Sequence, residues 1–262
     1  MEKILNSRIR SYINLVALAL VLIVNFLSNY IPFNNLTQED ITEIYPVLIT
    51  PAGYVFSIWG IIYLLLIGFI IYQALPSYRE TPKVSAVGIL FAVTALLNIL
   101  WLFAWHYLQI GLSMVLMILL LITLIGIYKK IIGRKSSETF FDWLFVRLPF
   151  SIYLAWISVA TLANLNILLN DWGILGTEGF GAMVFTILMI IIGAVLSLYV
   201  FYRLGDIVFP LVFTWAFIGI GVRHGTEIAV LTMFAWLASA VILFLLGWIA
   251  ARNRMATDTN NT

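Results

Sequence analysis

Cysteine is absent from the 262 residues, which excludes disulfides, thiolate metal sites, iron–sulfur clusters and c-type haem attachment. Charge is scarce: Asp, Glu, Lys and Arg together make up 10% of the chain, against ~25% in a soluble domain. His106 and His224 are the two histidines and leave little material for a metal site, so no metal is expected. No basic tract points to nucleic acid. No grouping of acid, base and nucleophile points to an enzyme. What fills the chain instead is apolar: 63% of residues are hydrophobic and the mean hydropathy is +1.07. Its apolar runs are long enough for helices rather than barrel strands, so the expected fold class is all-α, a polytopic membrane protein in contact with the lipid bilayer.

The apolar runs predict eight spans, at 12–30, 56–74, 84–105, 110–127, 145–169, 182–202, 207–222 and 228–250. The first is followed by SNYIPFNN rather than a small-residue cleavage site, and is read as a retained helix. Lys3, Arg8, Arg10, Arg79, Lys83, Lys129, Lys130, Arg134, Lys135, Arg203, Arg252 and Arg254 all fall on one side of the membrane when the spans alternate. The excess of Lys and Arg on cytoplasmic loops then predicts a cytoplasmic-membrane protein with both termini in the cytoplasm. Arg223 alone falls in an outer loop, and Arg147 sits just inside span five, near enough to its end to snorkel. The longest outer loop, 31–55, ends in YPVLITPAGYVF, where Pro51 and Gly53 mark a turn. The terminal MATDTNNT reads as a polar, disordered tail.

Three spans carry aromatic and polar residues on one helical face. Span two opens with Tyr54, Phe56, Trp59 and Tyr63, the last two at i, i+4. Span three has Asn98, Trp101 and Trp105 at i, i+3, i+7. Span five has Tyr153, Trp156, Ala160 and Asn164 at i, i+3, i+7, i+11. Such faces suit a pocket for a flat, mostly apolar ligand; taken alone, the span-five face reads first as helix–helix packing, with Ala160 allowing close approach and polar groups bonding across. Asn98 and Asn164 must face protein or a cavity, because an amide in lipid is costly. Trp105, His106 and Tyr107 read as an interfacial aromatic belt. Later in the chain, Arg203 and Asp206 read as a solvated pair. Arg223, His224 and Glu227 read as a loop salt bridge or a proton-sensitive site, and Pro210 as a kink or a first-turn proline of span seven.

TPAGYVFSIW, LNILWLFAWHYLQ and IYLAWISVATLAN resemble the three signature segments of the TspO/MBR family, the tryptophan-rich sensory proteins related to the mitochondrial translocator protein. Pro51, Gly53 and Trp59 match the first segment, with Ala52 and Ile49 at positions where the family has proline and tryptophan. Leu97, Asn98 and Trp101 match the second. Tyr153, Trp156, Ala160 and Asn164 match the third, with Ile152 replacing a proline and Ala163 a leucine. The resemblance covers roughly Tyr12 to Asn170. It implies a five-helix membrane bundle over 1–170; spans six to eight have no counterpart in that fold and add three transmembrane helices over 171–251, followed by the tail at 252–262.

The resemblance also implies a pocket under the first loop for a planar hydrophobic small molecule of porphyrin or haem type, with no required cofactor. Trp59, Asn98, Trp101 and Trp156 match the family's pocket positions; together with Tyr54, Tyr63, Tyr153, Ala160 and Asn164 from the helical faces, they are the expected lining, closed by 36–54. The expected function is a sensor or carrier of that ligand. A secondary transporter is the alternative, against which stands the lack of a mid-span acid or an inverted repeat. Porphyrin degradation rests on resemblance alone, so no enzyme activity is expected. The oligomeric state, a homodimer included, is left open.

Overall fold

The computed structural model describes residues 2–134 and 137–259, so Lys135 and the last three residues of the tail lie outside the described residues. The described chain is all-α, with no strand among its elements. In chain order the α-helices are α1 (Glu2–Tyr30), α2 (Gln38–Ile44), α3 (Ile58–Ala74), α4 (Pro82–Val87), α5 (Leu90–His106), α6 (Ile110–Ile132), α7 (Phe140–Asp142), α8 (Leu148–Asp171), α9 (Gly179–Leu204), α10 (Val208–His224) and α11 (Ala229–Thr259). Six stretches are long and apolar enough to cross a membrane: Asn6–Tyr30, Gly53–Ala74, Ile110–Ile132, Phe140–Asp171, Gly179–Leu204 and Ala229–Arg252. The remaining apolar helices, α5 and α10, have 17 residues each and reach ~25 Å, the short end of a spanning helix. These eight stretches are the eight predicted from the apolar runs. Helix α11 continues through Thr259, across most of the stretch read as a disordered tail.

Contacts divide the chain into two compact units. The first comprises Met1–Val47 and Phe56–Thr177; the second comprises Leu48–Val55 and Glu178–Thr262. The first loop is therefore shared out: α2 belongs to the first unit, and the Pro–Gly segment at its end belongs to the second.

In the first unit, α1, α5, α6, α8 and α3 touch in that order and close into a ring, since α3 also touches α1. Three fully buried phenylalanines fill part of the ring: Phe69 on α3 meets Phe150 on α8 edge-on at 5.2 Å and Phe91 on α5 at 5.5 Å. Gly68 lets Phe145 approach to 3.0 Å from where a Cβ would stand. Span five begins with a π-helical turn at Trp143–Arg147 before α8. Pro149 accounts for it: proline has no N–H for the carbonyl four residues back, and its ring crowds that carbonyl.

One end of this unit gathers the basic residues. Arg10 donates to the Arg79 carbonyl at 2.6 Å. Buried Lys83 donates to the Ile131 carbonyl at 3.0 Å and pairs with Glu138 at 3.4 Å, while Arg147 pairs with Glu138 at 3.2 Å rather than reaching for solvent alone. Asp142 closes a capping box with Thr139 and accepts from the Tyr72 hydroxyl at 3.0 Å.

The second unit packs α9, α10 and α11 together. Asp206 serves as the helix cap of α10, its carboxylate accepting from the Val208 and Phe209 N–H groups at 2.9 and 3.3 Å. Pro210 lies in the first turn of α10, where its missing N–H costs nothing. The Leu48–Val55 strap runs along α10. The Ala52 N–H donates to the Gly219 carbonyl at 3.1 Å, the Trp215 indole N–H donates to the Val55 carbonyl at 3.1 Å, and His224 Nε2 donates to the Leu48 carbonyl at 2.7 Å. A Cβ at Gly219 would collide with Val55, so glycine is what admits the strap this closely.

Candidate functional site

Four helices of the first unit's ring send aromatic or amide side chains to one place. On α3, Trp59 and Tyr63 are one turn apart and stack at 5.5 Å with 19° between planes. On α8, Tyr153 and Trp156 occupy one face, and both rings meet Trp59 edge-on, at 6.0 and 6.3 Å. Phe56, just ahead of α3, meets Trp156 edge-on at 5.9 Å. Edge-to-face contact sets the positive rim of one ring against the negative face of the next, so the rings fix one another's orientation directly.

Amides complete the group. Asn98 on α5 is fully buried and hydrogen-bonds Tyr153, while its Oδ1 accepts from Asn25 Nδ2 on α1 at 3.0 Å. Trp59 and Tyr63 are half-buried, whereas Tyr153 and Trp156 are buried. The group therefore opens toward its α3 side. It lies in the half of the unit away from the basic end, because α3 runs from Trp59 past Phe69 toward Gln73.

The other residues singled out by the sequence fall elsewhere. Trp101 is buried and stacks on Trp105 of its own helix at 5.7 Å. Asn164 is buried and donates to Ser113 Oγ of α6 at 3.2 Å, and Ser113 in turn donates to the Ile110 carbonyl at 2.8 Å. Ala160 is half-buried on α8. Tyr54 belongs to the second unit, where it is exposed and stands edge-on to Trp215 at 5.2 Å. Trp105 and His106 are buried rather than lying in an aromatic belt; of that trio only Tyr107 is exposed.

Two buried donors of this group have no hydrogen-bond partner, the Trp156 indole N–H and the Tyr63 hydroxyl; apart from the group, the Trp101 indole N–H also has none. Leaving such a group unpaired costs ~1–3 kcal/mol, so each is a place where an acceptor on a bound molecule would be favoured. Over the same half, α2 is tied down. The Thr37–Asp40 capping box starts it and holds the Asp40 carboxyl below its ordinary range through the Thr37 bonds. Tyr45 donates to Asp171 at the end of α8 at 3.0 Å, and partial burial together with that carboxylate pushes the phenol up to about 12.

Sequence reasoning named Phe56 among the aromatics that open span two but missed Asn25 and Ser113 as members of these contacts. Asn25 carried a usable signal, since an amide in the middle of an apolar run needs a partner.

A family model described as TSPO-like protein matches residues 11–248. The match runs on past Asn170, where the resemblance read from the motifs stops, and takes in α9, α10 and most of α11. No curated protein and no solved structure matches the chain.

Proposed function

The chain belongs to the TSPO-like family, and from that membership we propose that it binds a planar hydrophobic ligand of porphyrin type at the Trp59–Tyr63–Tyr153–Trp156 group, as a sensor or carrier in the cytoplasmic membrane. The observation that carries this reading is the combination of ring faces with unpaired donors. A flat aromatic molecule lies against the half-buried Trp59 and Tyr63, and the Trp156 N–H and Tyr63 O–H meet carboxylate or carbonyl oxygens on its edge. Each ring contact contributes ~0.5–1.5 kcal/mol beyond area burial. Purified protein titrated with protoporphyrin and with haem, followed by tryptophan quenching, tests the reading. Saturable quenching that weakens in Trp156→Ala is expected; quenching unaltered by that substitution would refute it.

The clustering of basic residues at one end of the first unit supports an orientation with that end in the cytoplasm. An introduced cysteine at Thr177 is then labelled by an impermeant thiol reagent in intact cells, and one at Ser137 is not. A coupled secondary transporter would draw on an ionisable group in mid-span. The buried carboxylates Asp142 and Asp206 are instead committed to helix starts.

A further inference from the structure

At the basic end of the first unit, Ser85 and Ala86 of α4 face Lys130, Gly133 and Arg134 across a hollow of about 320 Å³. Lys130 stands in the last turn of α6 and Arg134 just past its end, and both line the hollow, so two like charges face one space and repel. The carboxylates described at this end do not relieve that repulsion. Glu138 is held by Lys83 and Arg147, Asp142 by Tyr72 and Thr139, and Glu80 accepts from Ser7. Behind the hollow, Lys83 is buried and holds α4 against the end of α6 through the Ile131 carbonyl. The two walls are therefore fixed relative to each other. The apolar run of α6 ends at Tyr128, so the hollow lies at the depth where lipid headgroups begin.

We propose that this hollow binds a phosphate anion, supplied by the headgroup of an anionic phospholipid. Lys130 and Arg134 would neutralise the phosphate, with the planar guanidinium of Arg134 taking two of its oxygens, and the Ser85 hydroxyl would donate to a third. Gly133 leaves the floor between the two cations free of a side chain. A basic pocket between helices at the cytoplasmic face has the chemistry that retains anionic headgroups. This site is separate from the aromatic group, and the proposal stands whatever ligand that group binds.

The test uses the full-length protein, purified in detergent and stripped of lipid. Phosphatidylglycerol, phosphatidylcholine and inorganic phosphate are titrated separately, with bound lipid counted by native mass spectrometry and phosphate by equilibrium dialysis. Phosphatidylglycerol is expected to bind roughly tenfold more tightly than phosphatidylcholine, and K130Q/R134Q to lose about that factor. K130R/R134K, which keeps both charges, retains most of the binding and controls for folding. The charge-matched pair R203Q/R252Q, on the second unit, leaves binding unchanged. Inorganic phosphate that binds with the same dependence on Lys130 and Arg134 would support the hollow as an anion site with a soluble source. Equal binding of the two lipids, or equal losses in the two glutamine pairs, would overturn it: the effect would then be net charge and not this site.

Discussion

The two units hold their helices together in different ways. In the first, amides and hydroxyls bond from helix to helix: Asn14 to Gln73 at 3.1 Å, Asn25 to Asn98 at 3.0 Å, and Asn164 to Ser113 at 3.2 Å. In the second, Thr186, Ser197, Thr214 and Ser239 donate back to carbonyls of their own helices, a hydroxyl crosses at 3.5 Å from Thr232 on α11 to the Gly221 carbonyl on α10, and the closest helix contacts are at glycines. Gly193 receives the rings of Phe213 and Phe217 at 3.0 Å from a would-be Cβ, and Gly221 receives the Trp236 indole. An amide that bridges two helices has further donors and acceptors to offer, and the first unit keeps several of them unpaired. A glycine contact offers none. The aromatic group and its unpaired donors lie in the unit whose helices are joined by amides.

That contrast can be broken from either side. The largest effect is expected in the second unit: Gly221→Val drives a branched side chain into Trp236 and should cost about 3 kcal/mol, seen as a lowered unfolding midpoint in detergent, with ligand quenching retained in the fraction that stays folded. Next comes Asn98→Leu, which leaves the Asn25 amide and the Tyr153 hydroxyl without their shared partner and should cost about 2 kcal/mol; the same unfolding assay reads it. Trp156→Ala should weaken porphyrin binding by roughly tenfold, ~1.4 kcal/mol, while Trp248→Ala, on an exposed face of α11, leaves it unchanged. Equal effects of those two substitutions would dissolve the distinction between the units. The smallest effect is expected for Asn164→Ala, which removes one interhelical bond worth about 0.6 kcal/mol and should alter ligand binding by less than Trp156→Ala does.

Much of this was legible in the sequence because membrane burial is a strong, local constraint. Apolar length marked every long span and also α5 and α10. The three motifs put Trp59, Asn98, Tyr153 and Trp156 on helices that do meet. What stayed hidden was partner identity. The cost of burying Asn164 is written in its own neighbourhood, but nothing local says that Ser113, 51 residues earlier, answers it. The same holds for Trp101, whose face pointed inward as expected but whose ring contact is to Trp105. The π-helical turn before Pro149 was legible in principle, since proline dictates it, yet the span was read as one regular helix. Least legible was the strap: TPAGYV reads as the approach to span two, and its partners on α10 are 160 and 176 residues away in sequence.

The strap also sets an order of events during synthesis. Residues 48–55 leave the ribosome well before α10 exists, and at ~5–20 residues per second the wait for Trp215 and His224 is on the order of ten seconds. Through that interval all five helices of the ring can be inserted and meet while the Pro51–Gly53 segment has nothing to lie against. The first loop is thus among the last parts of the nascent protein to take its final form, although it is among the first to be made. The arrival of His224, the last of the strap's hydrogen-bond partners on α10, is the step that completes it.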